Sequence, residues 1–185
     1  MKYEVRLSGK GGQGLVLVGI ILGEAAAIYE DLHAVQKQSY GPEARSGASR
    51  SDVIISDREI EYPVIEEADL LLAMSQEAYE KYSPQMKKDG LLIMDKSLVL
   101  PAGTEEGAER DKKIYCFEFT KLARRDFNLE IVANMIALGT IIPLMKFISQ
   151  ESVCKTLIQR VPPKFLQVNQ KAFELGISLA REVDI

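Results

Sequence analysis

The chain has little of what most catalytic sites are made from: two cysteines, one histidine and no tryptophan in 185 residues. Cys116 and Cys154 lie far apart in sequence and far from His33. That spacing excludes Cys-x-x-Cys ligation of zinc or of an iron–sulfur cluster by this chain alone, and both thiols read as reduced and structural. No serine sits in a nucleophile elbow, and a Ser/His/Asp set would rest on one strand histidine. No catalytic residue is therefore assigned, and no metal site. Basic stripes are also missing; with a net charge of −4, nucleic acid is not an expected partner. Long apolar runs are few. Residues 131–148 come nearest to a membrane span, but Asn134, Pro143 and Lys146 interrupt them, so a buried helix is expected and no membrane partner. The first residues enter a strand with no leader pattern, which points to the cytoplasm.

What is present begins six residues in. Leu7-Ser8-Gly9-Lys10-Gly11-Gly12-Gln13-Gly14 follows an alternating apolar strand and precedes residues 15–27, an apolar run of helix formers. A strand that feeds a glycine-rich turn and then a helix presents free backbone N–H groups beside the positive end of the helix dipole. Gly9, Gly11, Gly12, Gln13 and Gly14 thus form a candidate anion-facing, cofactor-binding turn, with Gly11 expected at positive φ. Pure helix–strand packing explains the same glycines. Gly9, Gly11 and Gly14 match G-x-G-x-x-G, yet the second strand, residues 33–38, ends in Gln36, Lys37 and Gln38 without the acid that holds a ribose. A P-loop is excluded because no Gly-Lys-Ser/Thr closes the motif.

The 46% hydrophobic content suffices for one domain, residues 1–185, with an α/β core over 1–127 and C-terminal helices over 128–185. Residues 39–50 read as a polar loop. Residues 51–56 read as a strand turning at Asp57-Arg58 into a partner strand at 59–62, one antiparallel hairpin. Buried parallel strands are expected at 69–74 and 90–95, with a further strand at 114–119. Ser75 is expected to cap a short helix ending before Pro84, and Thr120 to cap a helix over 121–126. Residues 101–111 read as a surface loop. Helices follow over 130–148, 151–160 and 164–183. The fold expected is a three-layer αβα domain on a mostly parallel, mixed sheet. Ser75-Gln76 and Asp95-Lys96 should meet the glycine turn and the 39–50 loop at the carboxyl ends of the strands. Within that loop Arg45 and Arg50 are candidate cations for a phosphate or carboxylate, with Glu43 to orient one of them; pairing at a subunit interface explains them equally.

Two segments taken together carry a resemblance: Ser8 to Gly14, and Gln38-Ser39-Tyr40-Gly41-Pro42-Glu43-Ala44-Arg45-Ser46-Gly47. They resemble the gamma subunits of 2-oxoacid:ferredoxin (acceptor) oxidoreductases. The likeness continues through Asn134, Ala137, Leu138 and Gly139, and through Lys164, Asn169, Ala172 and Gly176. Gly41-Pro42-Glu43-Ala44-Arg45 looks more like the 2-oxoglutarate type than the pyruvate type. Ser46 departs from the glycine common there.

The resemblance implies one subunit of an enzyme that oxidatively decarboxylates a 2-oxoacid with coenzyme A, giving acyl-CoA, carbon dioxide and reduced ferredoxin or a related acceptor. Thiamine diphosphate, magnesium and iron–sulfur clusters are expected on alpha, beta and delta (ferredoxin-like) partners, because this chain lacks the Gly-Asp-Gly and cysteine motifs that hold them. The resemblance implies a chain inactive alone, with a homodimer as an expected form in isolation. Ser39, Tyr40, Gly41, Pro42, Glu43, Arg45 and Arg50 form the expected substrate or interface loop. The competing reading is a stand-alone nucleotide- or CoA-binding doubly wound module.

Overall fold

Residues 1–39, 48–100 and 113–183 are described by a computed structural model. Six strands form one sheet: β1 (Lys2–Lys10), β2 (His33–Ser39), β3 (Ala48–Ser56), β4 (Ala68–Ala73), β5 (Met86–Asp95) and β6 (Lys113–Phe117). Their order is β2-β3-β1-β4-β5-β6. β1, β4, β5 and β6 run parallel, whereas β3 lies antiparallel between β1 and β2. The mixed, mostly parallel α/β sheet matches expectation.

Alternation decides the layers. Val5 and Leu7 of β1, with Val53 and Ile55 of β3, face one side. There they meet α1 (Leu15–Glu24), α4 (Ala133–Ile141), α5 (Gln150–Arg160) and α6 (Pro163–Glu182). Leu71, Leu92 and Met94 face the other side and pack on α2 (Gln76–Tyr82) through Ala78, Tyr79 and Tyr82. α3 (Phe119–Phe127) sends Phe119 and Ala123 into the larger core. α4 is buried along its whole length. It crosses α6 so closely that a Cβ on Gly139 would run into the Phe173 carbonyl oxygen.

The antiparallel hairpin is not the one expected. β3 pairs back with β2, from His33↔Ser56 to Ser39↔Arg50, and residues 59–62 form no strand. β3 already has β2 on one side and β1 on the other, so no edge remains for residues 59–62. Nor is 130–148 one helix: α4 gives way to a 3₁₀ turn, Ile142–Leu144, because Pro143 has no N–H to continue the ladder. Ser75 caps α2 as expected, its hydroxyl oxygen accepting from the Ala78 N–H at 3.2 Å. Thr120 does not cap α3, which starts at Phe119. Its hydroxyl donates instead to Asp95 Oδ2 at 2.5 Å.

Candidate functional site

β1 and β4 are parallel neighbours, but the helices that follow them leave to opposite faces of the sheet: α1 to one, α2 to the other. Such a reversal opens a crevice at the carboxyl ends of the strands. The glycine turn lies there. Gly14 is the residue before α1, at φ 74°, and no side chain caps the first turn of that helix. Gly12 also has a positive φ, of 91°. The expectation for Gly11 fails: its φ is not positive, and a Cβ there would meet open space. The strained positions are set by the tight reversal from Lys10 into α1, which passes through Gly12 and Gly14.

Gln13 holds this turn in shape. Its Oε1 accepts from the Lys10 N–H at 2.7 Å and its Nε2 donates to the Met74 carbonyl at 2.9 Å, joining the ends of β1 and β4. Behind it a cavity of about 200 Å³ is lined by Gly12, Gln13, Met74, Ile131 and Asn134. Asn134 is 3% exposed, and its Oδ1 is buried without a hydrogen-bond partner. A Cβ on Gly14 would collide with its Nδ2, so glycine is needed there both for conformation and for space. The cavity is continuous with a crevice of about 800 Å³ bounded by Lys10, Ser75, Glu77, Glu80, Arg124 and Glu130.

Of the other expected site residues, Ser75 and Gln76 do line the crevice. Asp95 does not reach it. It is fully buried and accepts from the Ser97 N–H and from both the N–H and hydroxyl of Thr120, stitching β5 to α3. Lys96 is likewise absent from the crevice lining. Ser39 is the exposed last residue of β2. Arg50 is not a free cation: its Nε stands 3.4 Å from Asp52 Oδ2 and its guanidinium lies over the Tyr82 ring. Tyr40, Gly41, Pro42, Glu43 and Arg45 fall outside the described residues, as do 101–112.

Two features went unread in the sequence. One is the basic face of α3, where Lys121, Arg124 and Arg125 line a cavity of about 560 Å³ with Ser97 and Glu118. Their i, i+3, i+4 spacing was a legible signal. The other is the buried Arg6, whose neighbours in sequence give no hint of its partners.

Among the described residues no group of three or more His, Cys, Asp or Glu side chains is placed to hold a metal ion. Cys154 is a poor ligand, since burial and the Glu174 carboxylate push its thiol pKa up. This donor set does not fit an iron–sulfur cluster or a magnesium-bound diphosphate. The dinucleotide alternative also weakens, because the antiparallel β3 separates β2 from β1. The carboxyl end of β2 therefore lies two strand spacings from the glycine turn, about 10 Å instead of 5 Å.

The fold and crevice define the class: an α/β domain on a mixed, mostly parallel sheet with a crevice at a strand-order reversal. The chain belongs to the pyruvate ferredoxin/flavodoxin oxidoreductase family, whose model matches residues 4–179. It is 44% identical over 183 residues to a 2-oxoglutarate synthase subunit, KorC, of Methanocaldococcus jannaschii, covering 99% of this chain and 96% of that one. Among solved structures it resembles the gamma subunit of a keto/oxoacid ferredoxin oxidoreductase from Geobacter sulfurreducens PCA. That match has 45% identity and a TM-score of 0.83, over 97% of this chain and 99% of the other. The fold also recurs within the 2-oxoglutarate:ferredoxin oxidoreductase of Magnetococcus marinus, solved with 2-oxoglutarate, coenzyme A and succinyl-CoA bound. There the TM-score is 0.84 at 22% identity, over 98% of this chain and 31% of that longer one.

Proposed function

We propose that this chain is the gamma subunit of a cytoplasmic 2-oxoglutarate:ferredoxin (acceptor) oxidoreductase. The complex converts 2-oxoglutarate and coenzyme A to succinyl-CoA and carbon dioxide, passing two electrons to ferredoxin or a related acceptor. The observation that carries this reading is the match to a 2-oxoglutarate synthase subunit over nearly the whole length of both chains. The crevice agrees with it. Gln13 fixes the gap between the ends of β1 and β4, and no side chain caps the first turn of α1 beside it.

In this reading thiamine diphosphate, magnesium and the iron–sulfur clusters reside on alpha, beta and delta partners, and supply the decarboxylation and the electron path. This chain, one gamma-type domain over 1–185, braces the assembly and forms one wall of the coenzyme A cleft. Ser39, Tyr40, Gly41, Pro42, Glu43, Arg45 and Arg50 form its interface-facing loop, with Arg50 anchored to Asp52. The stand-alone nucleotide-binding module is not favoured, given the strand order.

Reconstitution tests the assignment. The purified chain should show no turnover with 2-oxoglutarate, coenzyme A and a viologen acceptor, and co-production with its partner chains should restore it. Turnover by the chain alone, or tight calorimetric binding of NAD, FAD or ATP to it, would overturn the assignment.

A further inference from the structure

β2 is the outermost strand on its side of the sheet, and no strand lies beyond it among the described residues. α1 covers one of its faces, above Ala34 and Gln36, whereas α2 on the other face lies over β1, β3 and β4. Toward the α2 side β2 turns Val35, half-buried, and the exposed Lys37 and Ser39. Strand pairing sets Lys37, Asp52 and Arg6 in one row across β2, β3 and β1. Side chains directly opposite one another in such a row have Cβ atoms about 5 Å apart. Asp52 is claimed twice already. Arg6 donates to it from two nitrogens, at 2.9 and 3.2 Å, and Arg50 Nε stands 3.4 Å away. Lys37 makes no ion pair among the described residues, and the exposed Lys81 shares the Tyr82 ring with Arg50. The other carboxylates of this face are committed: Glu4 and Asp69 to Lys87, and Glu77 to the Ala48 N–H. Glu59, Glu61, Glu66 and Glu67, exposed between β3 and β4, pair with none of these cations.

We propose that the outer edge of β2 takes up an extended acidic segment of a companion subunit as a seventh strand, with a carboxylate set against Lys37. The proposal rests on the reading of the chain as one subunit of a complex. Two independent observations point to it. One is a strand edge whose outward backbone groups have no neighbouring strand, the geometry used in strand addition. The other is the surplus of positive charge beside that edge, in a chain whose net charge is −4. A lysine in the middle of an edge strand discourages indiscriminate pairing. An incoming strand with Asp or Glu opposite it turns that obstacle into an attraction. A second copy of this chain does not qualify. β2 reads His-Ala-Val-Gln-Lys-Gln-Ser and holds no carboxylate, so pairing it with itself adds cations to a face already in surplus.

The test compares the isolated chain with the complex assembled from it and its companion subunits. Amide hydrogen exchange over residues 33–39 should be fast at the outer edge in the isolated chain, and assembly should slow it about tenfold or more. Lys37→Gln should weaken association with the companion subunits about threefold and Lys37→Glu about tenfold. In both variants association should depend less steeply on salt than in the wild type. Lys37 is exposed, so the melting temperature of the isolated Lys37→Gln chain should not change. If Lys37→Glu does not fold, Lys37→Gln and the exchange data decide. Exchange over 33–39 that assembly leaves unaltered, or wild-type affinity in the lysine variants, overturns the proposed docking while the subunit assignment stands. Protection of β2 that grows with the concentration of the isolated chain makes a second copy the occupant, and overturns it too. A chain that binds no companion subunit overturns the assignment, and the docking with it.

Discussion

The two faces of the sheet are made of different materials and fail in different ways. On the face covered by α1, α4, α5 and α6, β1 presents Val5 and Leu7, and the layer is apolar and closed by helix backbones in direct contact. On the face covered by α2, the next residue of the same strand is Arg6, with no exposed surface. Its Nε donates to Asp52 Oδ1 at 2.9 Å, one terminal nitrogen donates to Gln85 Oε1 at 2.7 Å, and the other to the Ile65 carbonyl at 2.9 Å. The guanidinium also lies 5.2 Å from the Tyr82 ring centre. A buried pair of this kind adds little over apolar packing, yet losing one partner is severe because the other charge stays behind. The face under α4 and α6 has no room for an added atom at Gly139. The Arg6 site on the other face fails when one partner of its buried pair is removed.

Arg6→Met probes the buried pair on the α2 face with the largest expected effect, a loss of about 3–5 kcal/mol in urea unfolding, since among the described residues Asp52 keeps only the more distant Arg50. Arg6→Met with Asp52→Leu should recover at least half of that loss. If the double variant is no better than the single, unpaired charge is not the cause. Gly139→Ala probes the apolar face through the one methyl that α6 has no room for, and should cost about 1–3 kcal/mol. A variant of unchanged midpoint would mean the two helices slide apart freely.

The smallest effect is a pH dependence. Tyr3 sits on the apolar face, its ring edge-on to Phe147 at 5.3 Å. Burial first, then the Asp69 carboxylate, push its pKa up to about 12. Because the folded value lies above the ordinary one near 10, the neutral phenol's contribution is complete below pH 10. It is lost as pH rises toward 12, by about 1–2 kcal/mol once partial exposure is discounted. Tyr3→Phe should flatten that part of the curve in alkaline thermal melts. An identical slope in both proteins would place the lost stability elsewhere.

Much of this contrast could be anticipated from the chain, and the reasons for the rest are specific. β1, its glycine turn and α1 are legible because alternation, glycine spacing and an apolar run signal them within 25 residues. Gln13 announces itself as the polar group in that turn. The partner of β3 does not, because strand order is settled by contacts between segments far apart in sequence, not by local pattern. Arg6 in an alternating strand reads as solvent-facing, and only the arrival of α2 and residues 57–67 encloses it. Asp95 was legible as the end of a strand, but not its capture by Thr120. Asn134 carries family resemblance in the sequence, while its lack of a partner shows only in three dimensions.

One feature of the crevice bears on how the whole enzyme behaves across conditions. The spacer between β1 and β4 is a carboxamide, held by two backbone groups. It carries no proton that titrates and no charge that salt can shield, so the aperture it sets is the same in acid or base and at low or high ionic strength. The response of such a complex to its medium then has to arise at its charged walls, and the gauge between them stays constant.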